Sequence, residues 1–174
     1  IPEAVPFIFY AMLKIPVPIT AMQILAIDLG TETLPALALG SEKPEPGIMN
    51  RPPRPRTRGI IDKVVLFRGY VFFGLLNSAA VLAAYFFFLH RGGWSFGQQL
   101  EPNEITFQNQ LHLEAMTVLF AGIVVLQIAN VFGCRSDTFS SFKLGFFSNR
   151  LILWGILFEI VFLVFLVYTP FCQR

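Results

Sequence analysis

The chain has 174 residues, of which 55% are hydrophobic and 14% charged, and its net charge is +2 at neutral pH. Soluble domains carry about a quarter charged residues, so an ordinary soluble enzyme is excluded by composition alone. A nucleic-acid partner is excluded too: no aromatic residue is interleaved with the clustered arginines, and apolar blocks flank them.

The first segment, Ile1 to about Leu13, is apolar but too short to cross a bilayer core, which takes about 20 helical residues. It reads as the second half of a membrane helix. The Ile-Pro-Glu start has neither a Met nor a basic n-region, so the sequence reads as a piece of a longer chain without a cleavable signal peptide. Glu3, between Pro2 and Pro6, fits a terminal acid and an intramembrane ligand equally well. Pro16 and Pro18 then predict a tight turn.

The second segment, Thr20 to Gly40, contains Asp28, Thr31 and Glu32. At this spacing the three side chains share one helix face. Two carboxylates on one face repel each other unless a cation or a proton lies between them, and hard cations take oxygen ligands. Gly30 is a poor helix former, and Pro35 removes the hydrogen bond to the carbonyl of Thr31. Acids therefore coincide with weakened backbone, which at membrane depth is tolerated where it lines a polar cavity. A kinked helix with purely structural acids is the bland alternative. Intramembrane acids cost at least about 2.5 kcal/mol each by insertion scales, which favours a functional role.

The loop Ser41–Asp62 holds five prolines and much of the basic charge: Lys43, Arg51, Arg54, Arg56 and Arg58, with Lys63 and Arg68 just beyond. It reads as a solvated cytoplasmic loop, with contact to anionic lipid as a further role. The third span is about Lys63 to Leu89. A polar connection, His90 to about His112, reads as extracytoplasmic, with both histidines at the surface. The fourth span, about Leu113 to Gly133, carries Gln127 and Asn130 three residues apart. These amides fit ligands and interhelical hydrogen bonds equally. Arg135–Asn149 is a second basic loop, and the fifth span is about Arg150 to Thr169 with one acid, Glu159, at mid-span. A cation or proton site is the favoured reading of Glu159, against a protonated structural acid. Alternating spans place both basic loops on one side, with 10 of the 13 Lys and Arg residues. Cys134 and Cys172 then fall on opposite sides and do not pair. The expected fold is an all-α polytopic membrane bundle, with Met12, Met22 and Met116 facing lipid or packing. The sequence has no phosphate-binding Gly loop, no supported Ser/His/Asp arrangement and no internal repeat.

Two stretches carry a resemblance. Ile27-Asp28-Leu29-Gly30-Thr31-Glu32-Thr33-Leu34-Pro35-Ala36, followed by Ile48-Met49-Asn50-Arg51-Pro52-Pro53-Arg54, resembles the sixth membrane helix and following loop of type II P-type cation ATPases, the calcium and sodium/potassium pumps. The start resembles the middle of their fifth helix, and the rest follows their seventh to ninth helices. The resemblance implies the C-terminal transport domain of such a pump, residues 1–174, in a plasma membrane. By the same resemblance Glu3 matches the fifth-helix glutamate that binds the ion. Asp28 matches a position that is Asn in many calcium pumps and Asp in sodium/potassium pumps, and Thr31 a threonine ligand. Glu32 stands where both groups usually have Asp. Gln127 is neutral where muscle-type calcium pumps carry an eighth-helix glutamate. Asn130 and Glu159 match the third sodium site, where the eighth-helix residue is Asp.

The resemblance implies calcium, sodium or potassium as the transported cation. ATP and magnesium belong to cytoplasmic domains that these residues do not include, because the phosphorylated Asp-Lys-Thr-Gly-Thr motif is not among them. The implied partners are the lipid bilayer and the rest of the same polypeptide, with no obligatory subunit evident. An ATP-independent secondary transporter or channel is the alternative.

Overall fold

The computed structural model describes residues 3–13, 15–50, 52, 53, 55, 59, 61–97, 107–136 and 139–169. Lys14, Arg51, Arg54, Arg56, Arg58, Cys172 and Arg174 lie outside the described residues, so the charge of the first basic loop and the separation of the cysteines are read from sequence alone. The described residues contain helices and no strand.

Helix α1 (Ala4–Leu13) leads through the Pro16–Pro18 turn to α2 (Ala21–Ala26). Thr20 and Gln23 form a reciprocal capping box at the start of α2, with the Thr20 N–H 2.9 Å from the Gln23 side-chain oxygen. A π-helical turn, Ile27–Thr31, follows, and then α3 (Thr33–Gly40). The second segment is thus interrupted near its middle rather than one regular helix.

Beyond a short 3₁₀ turn (Ile48–Asn50), Asp62 caps α4 (Lys63–Leu66) by accepting from the Val65 N–H at 2.9 Å. Helix α4 runs through a second π segment (Phe67–Phe73) into α5 (Gly74–Arg91). The 29-residue rod Lys63–Arg91 is about 44 Å long at the α-helical rise, more than a hydrocarbon core requires. Helix α6 (Phe107–Gly133) begins before Leu113, so it takes the end of the expected polar connection into its first turns. After the short α7 (Ser141–Leu144), Asn149 caps α8 (Arg150–Tyr168), its side-chain oxygen accepting from the Leu151 N–H at 3.0 Å. Three of these helices, Lys63–Arg91, Gln110–Gly133 and Arg150–Tyr168, are long and apolar enough to cross a membrane. Their outward faces carry Phe72, Phe87, Leu113, Val125, Trp154 and Phe165, all exposed. Hydrocarbon solvates such a surface and water does not. The chain is an integral membrane protein.

The core lies between α5 and α6, where Val81, Tyr85 and Leu89 pack with Leu111, Ala115, Leu119 and Ile123, and Ile15, Ile19 and Ile27 complete the cluster. Two polar contacts pin the Pro16–Pro18 turn to this pair. Tyr85 Oη donates to the Pro16 carbonyl at 3.3 Å, and His112 Nε2 lies 2.8 Å from the Val17 carbonyl. A carbonyl only accepts, so Nε2 carries the proton. His112 is 5% exposed, which corrects the surface position expected for it. The early start of α6 explains the difference, because it turns His112 inward. Met12 and Met22 are exposed and Met116 is buried.

At the other end of α3, a polar clasp joins three elements. Arg135, just past α6, makes a two-pronged contact with Glu42, Nε to Oε2 at 3.0 Å and Nη2 to Oε1 at 2.9 Å. Its remaining donors reach the Gly145 carbonyl at 2.9 Å and Ser148 Oγ at 2.6 Å. Asn149 donates to Glu42 Oε2 at 3.0 Å and to the Ala38 carbonyl at 3.1 Å, so the cap of α8 also holds the end of α3. Nearby, Ser136 donates to Glu45 and Ser141 to the Phe132 carbonyl. Arg135 is buried, whereas a basic loop residue is expected in water. The hydrogen bonds from Arg135 hold the Glu42 carboxyl below the usual carboxylate range, outweighing the opposing effect of partial burial.

Candidate cation site

The π turn forms because the second segment cannot stay α-helical. Pro35 has no N–H to offer the Thr31 carbonyl. The Glu32 N–H bonds five residues back, to the Ile27 carbonyl at 3.1 Å, which leaves the Asp28 carbonyl without its usual donor. Hydroxyls take over: Thr33 Oγ1 lies 3.3 Å from the Asp28 carbonyl and 3.2 Å from that of Leu29, and Thr31 Oγ1 lies 2.9 Å from that of Ile27. These are the exchanges that make irregular backbone tolerable at membrane depth.

Helix α8 packs against this break at two glycines. A Cβ on Gly30 would lie 2.3 Å from the Phe162 ring, and one on Gly155 would lie 3.3 Å from the backbone nitrogen of Pro35. Gly30 therefore has a packing reason as well as weak helix propensity.

The break gathers acids from two elements. Glu3, which immediately precedes α1, and Asp28 and Glu32, on either side of the Gly30 turn, each place a carboxylate oxygen within 4.8 Å of the others. Glu3 is half-buried, while Asp28 and Glu32 are exposed. The carboxamide of Gln127, on α6, links this cluster to Thr31. Its Nε2 donates to Glu32 Oε1 at 2.7 Å, and its Oε1 lies 2.9 Å from the Thr31 hydroxyl. Three carboxylates, a hydroxyl and an amide form an oxygen-rich set suited to a hard cation. A cation among the acids offsets a repulsion that is costly where water is scarce.

Asn130 does not join this network, and no hydrogen bond to its side chain occurs among the described residues. Glu159 is also separate from the three-acid cluster. It is fully buried on α8, between Gly155 and Phe162, and neither of its carboxyl oxygens has a hydrogen-bond partner among the described residues.

Sequence reasoning missed Asn77, a buried amide on α5 that is 6% exposed. The contacts of Gly92 with Leu111, Gly122 with Val81 and Gly133 with Phe73 set the antiparallel register of α5 and α6. That register puts Asn77 level with Leu126 to Ala129, the depth of Gln127. The available signal was one amide inside an otherwise apolar span. Sequence reasoning also missed the Arg135–Glu42–Asn149 clasp, whose members lie 93 and 107 residues apart.

Residues 16–174 match the family described as cation transporting ATPase, C-terminus. The chain belongs to this family. It is the C-terminal portion of a P-type cation-transporting ATPase, with an all-helical membrane bundle. It is similar to the sodium/potassium-transporting ATPase subunit alpha-4 of Rattus norvegicus, 30% identical over 193 residues that cover 98% of this chain and 18% of that protein. The subunit alpha-2 of Gallus gallus is 31% identical over 195 residues, 98% of this chain and 19% of that protein. The subunit alpha-3 of Homo sapiens is 30% identical over 193 residues, 98% of this chain and 19% of that protein. The chain spans less than a fifth of the length of these curated relatives.

Proposed function

We propose that this chain forms the cation-binding membrane portion of an ATP-driven pump. In this reading Glu3, Asp28, Thr31, Glu32 and Gln127 line the transported ion, and Asn130 and Glu159 belong to an adjoining ion or proton position. The observation that carries it is the convergence of Glu3, Asp28 and Glu32 within 4.8 Å at the interrupted second segment. A soluble structural role would not place three acids beside spans this apolar. The two basic loops lie on the cytoplasmic side, in a plasma membrane, next to domains of the same polypeptide that bind ATP and magnesium.

The mechanism is alternating access. Phosphorylation in the cytoplasmic domains moves α3 relative to α2 about the π turn, opening the acids first to one side and then to the other. A monovalent cation of the sodium or potassium type fits best. Gln127 contributes no charge, Asp28 retains the acid, and the relatives named above are sodium/potassium-transporting ATPases.

The test is ATP hydrolysis by the purified full-length protein, titrated separately with sodium, potassium, calcium and protons. Stimulation by sodium or potassium is expected. Cation flux without cation-stimulated hydrolysis would instead establish an ATP-independent transporter or channel.

A further inference from the structure

The clasp at the end of α3 has more contacts than a loop anchor requires. All three ends of the Arg135 guanidinium are engaged, and its side chain is 0% exposed. Glu42 receives donors from Arg135 and Asn149 on the same oxygen, Oε2. Asn149 also takes the Ala38 carbonyl at the free end of α3 while its own oxygen caps α8. One side chain therefore ends both helices. Two turns further along, Gly155 rests on the backbone of Pro35. Helix α3 is held on α8 at both ends of an eight-residue element, and Glu32 is the residue that leads into it.

The acids on the other side of the break have different supports. Asp28 follows α2, which starts from the turn that Tyr85 and His112 grip, and Glu3 precedes α1 before that turn. The cluster is thus assembled across a seam. The backbone of Glu32 leads into α3, which the clasp and α8 hold, while its carboxylate bonds Gln127 of α6; Asp28 and Glu3 follow and precede the turn that α5 and α6 grip. Because α3 is short, a change at Glu42 carries through it to Glu32 with little bending to absorb it.

We propose that Arg135 is a positioning residue for the cation site, acting through Glu42 and Asn149 to set how far Glu32 stands from Asp28 and Glu3. It touches no ion. Its loss lets α3 shift on α8, moves Glu32 out of register with the other acids and weakens cation binding. This inference rests on the pump reading for its functional consequence and on the clasp geometry for its structural one.

The two parts are tested together in the full-length protein. Arg135→Glu, Glu42→Arg and the double swap are compared by two measurements. One is the sodium or potassium concentration that half-activates ATP hydrolysis. The other is the distance between spin labels on Leu37→Cys and Leu151→Cys, exposed positions on α3 and α8. Each single reversal is expected to raise the half-activating concentration roughly tenfold, with maximal rate retained, and to broaden the label distance; the swap returns both part of the way, because it restores the ion pair but not the bonds to Gly145, Ser148 and Asn149. A buried pair with no positioning role would change melting temperature without moving the half-activating concentration or the distance. Unchanged values in both single variants, or no recovery in the swap, overturn the proposal. If Arg135→Glu does not accumulate, Glu42→Gln is read in its place, with the same directions expected. If the wild-type protein shows no cation-stimulated hydrolysis, the pump reading falls. The label distance then decides the clasp alone: broadening and recovery sustain it, and an unchanged distance removes it.

Discussion

Gln127 donates to Glu32 at 2.7 Å and receives the Thr31 hydroxyl at 2.9 Å, so one amide from α6 ties down the C-terminal end of the π turn. A hydrogen bond to a charged group contributes about 1.5–3 kcal/mol. Gln127→Leu removes both bonds at similar volume. It is expected to weaken the apparent affinity for the activating cation by about tenfold to a hundredfold, the range that energy converts to, and the check is a cation titration of ATP hydrolysis. Unaltered affinity would place Gln127 in packing only.

Of the acids at the break, Glu32 has a fixed partner, whereas Asp28 has no side-chain bond among the described residues. Glu32→Gln is expected to abolish cation-stimulated hydrolysis, and Asp28→Asn to shift the preference among sodium, potassium and calcium while activity persists. Transport assays on both variants separate the two outcomes. Wild-type transport by Glu32→Gln would remove this residue from the site.

Gly30 and Gly155 sit in the contact of the second segment with α8. Gly155→Val presses on the backbone of Pro35, which cannot rotate away, and should destabilise by about 1–3 kcal/mol. The nearest atoms to a Cβ at Gly30 belong to the Phe162 ring, so Gly30→Ala with Phe162→Ala should recover most of what Gly30→Ala loses. Melting in detergent, followed by tryptophan fluorescence, reports both.

Glu42 carries the pH prediction. Its folded-state pKa lies below 4.5, so its stabilising contribution is complete above the unfolded value and is lost as pH falls through the lowered folded value. The contact of α3 with α8 should therefore be independent of pH near neutrality and loosen in acid below 4.5. Hydrogen exchange of the α3 amides at graded pH tests this, and Glu42→Gln should flatten the profile.

Asn77 tests the cost of a buried amide. Neither end of it has a hydrogen-bond partner among the described residues. Asn77→Leu, of similar size and apolar, is expected to leave the melting temperature unchanged or raise it. A clear drop would mean that the amide has a partner the protein's own side chains do not supply.

The long spans were legible because hydropathy acts residue by residue and needs no tertiary knowledge. The acids at 28 and 32 were legible for the same reason, since a charge in an apolar stretch is conspicuous wherever the helix packs. Local chemistry also exposed the interruption at Gly30 and Pro35. The Glu3 contribution was ambiguous, because its relation to Asp28 depends on how the Pro16–Pro18 turn folds α1 back. What stayed hidden depended on pairings across about 90 residues or more. Nothing in the strings around Glu42 and Arg135 says that they meet, or that an arginine in a basic loop goes inside. His112 was misplaced because the start of α6 was set by apolar content, and polar residues can extend a helix outward when its first turn has other support.

The grip on the Pro16–Pro18 turn bears on how the protein is made. The turn's carbonyls find their partners in Tyr85, 69 residues later, and His112, 95 residues later. The segment that follows this turn, α2 with the π turn and α3, is interrupted at its middle and takes its lateral support from helices made after it. During synthesis the second segment therefore reaches its final packing only once α5 and α6 have emerged to receive it.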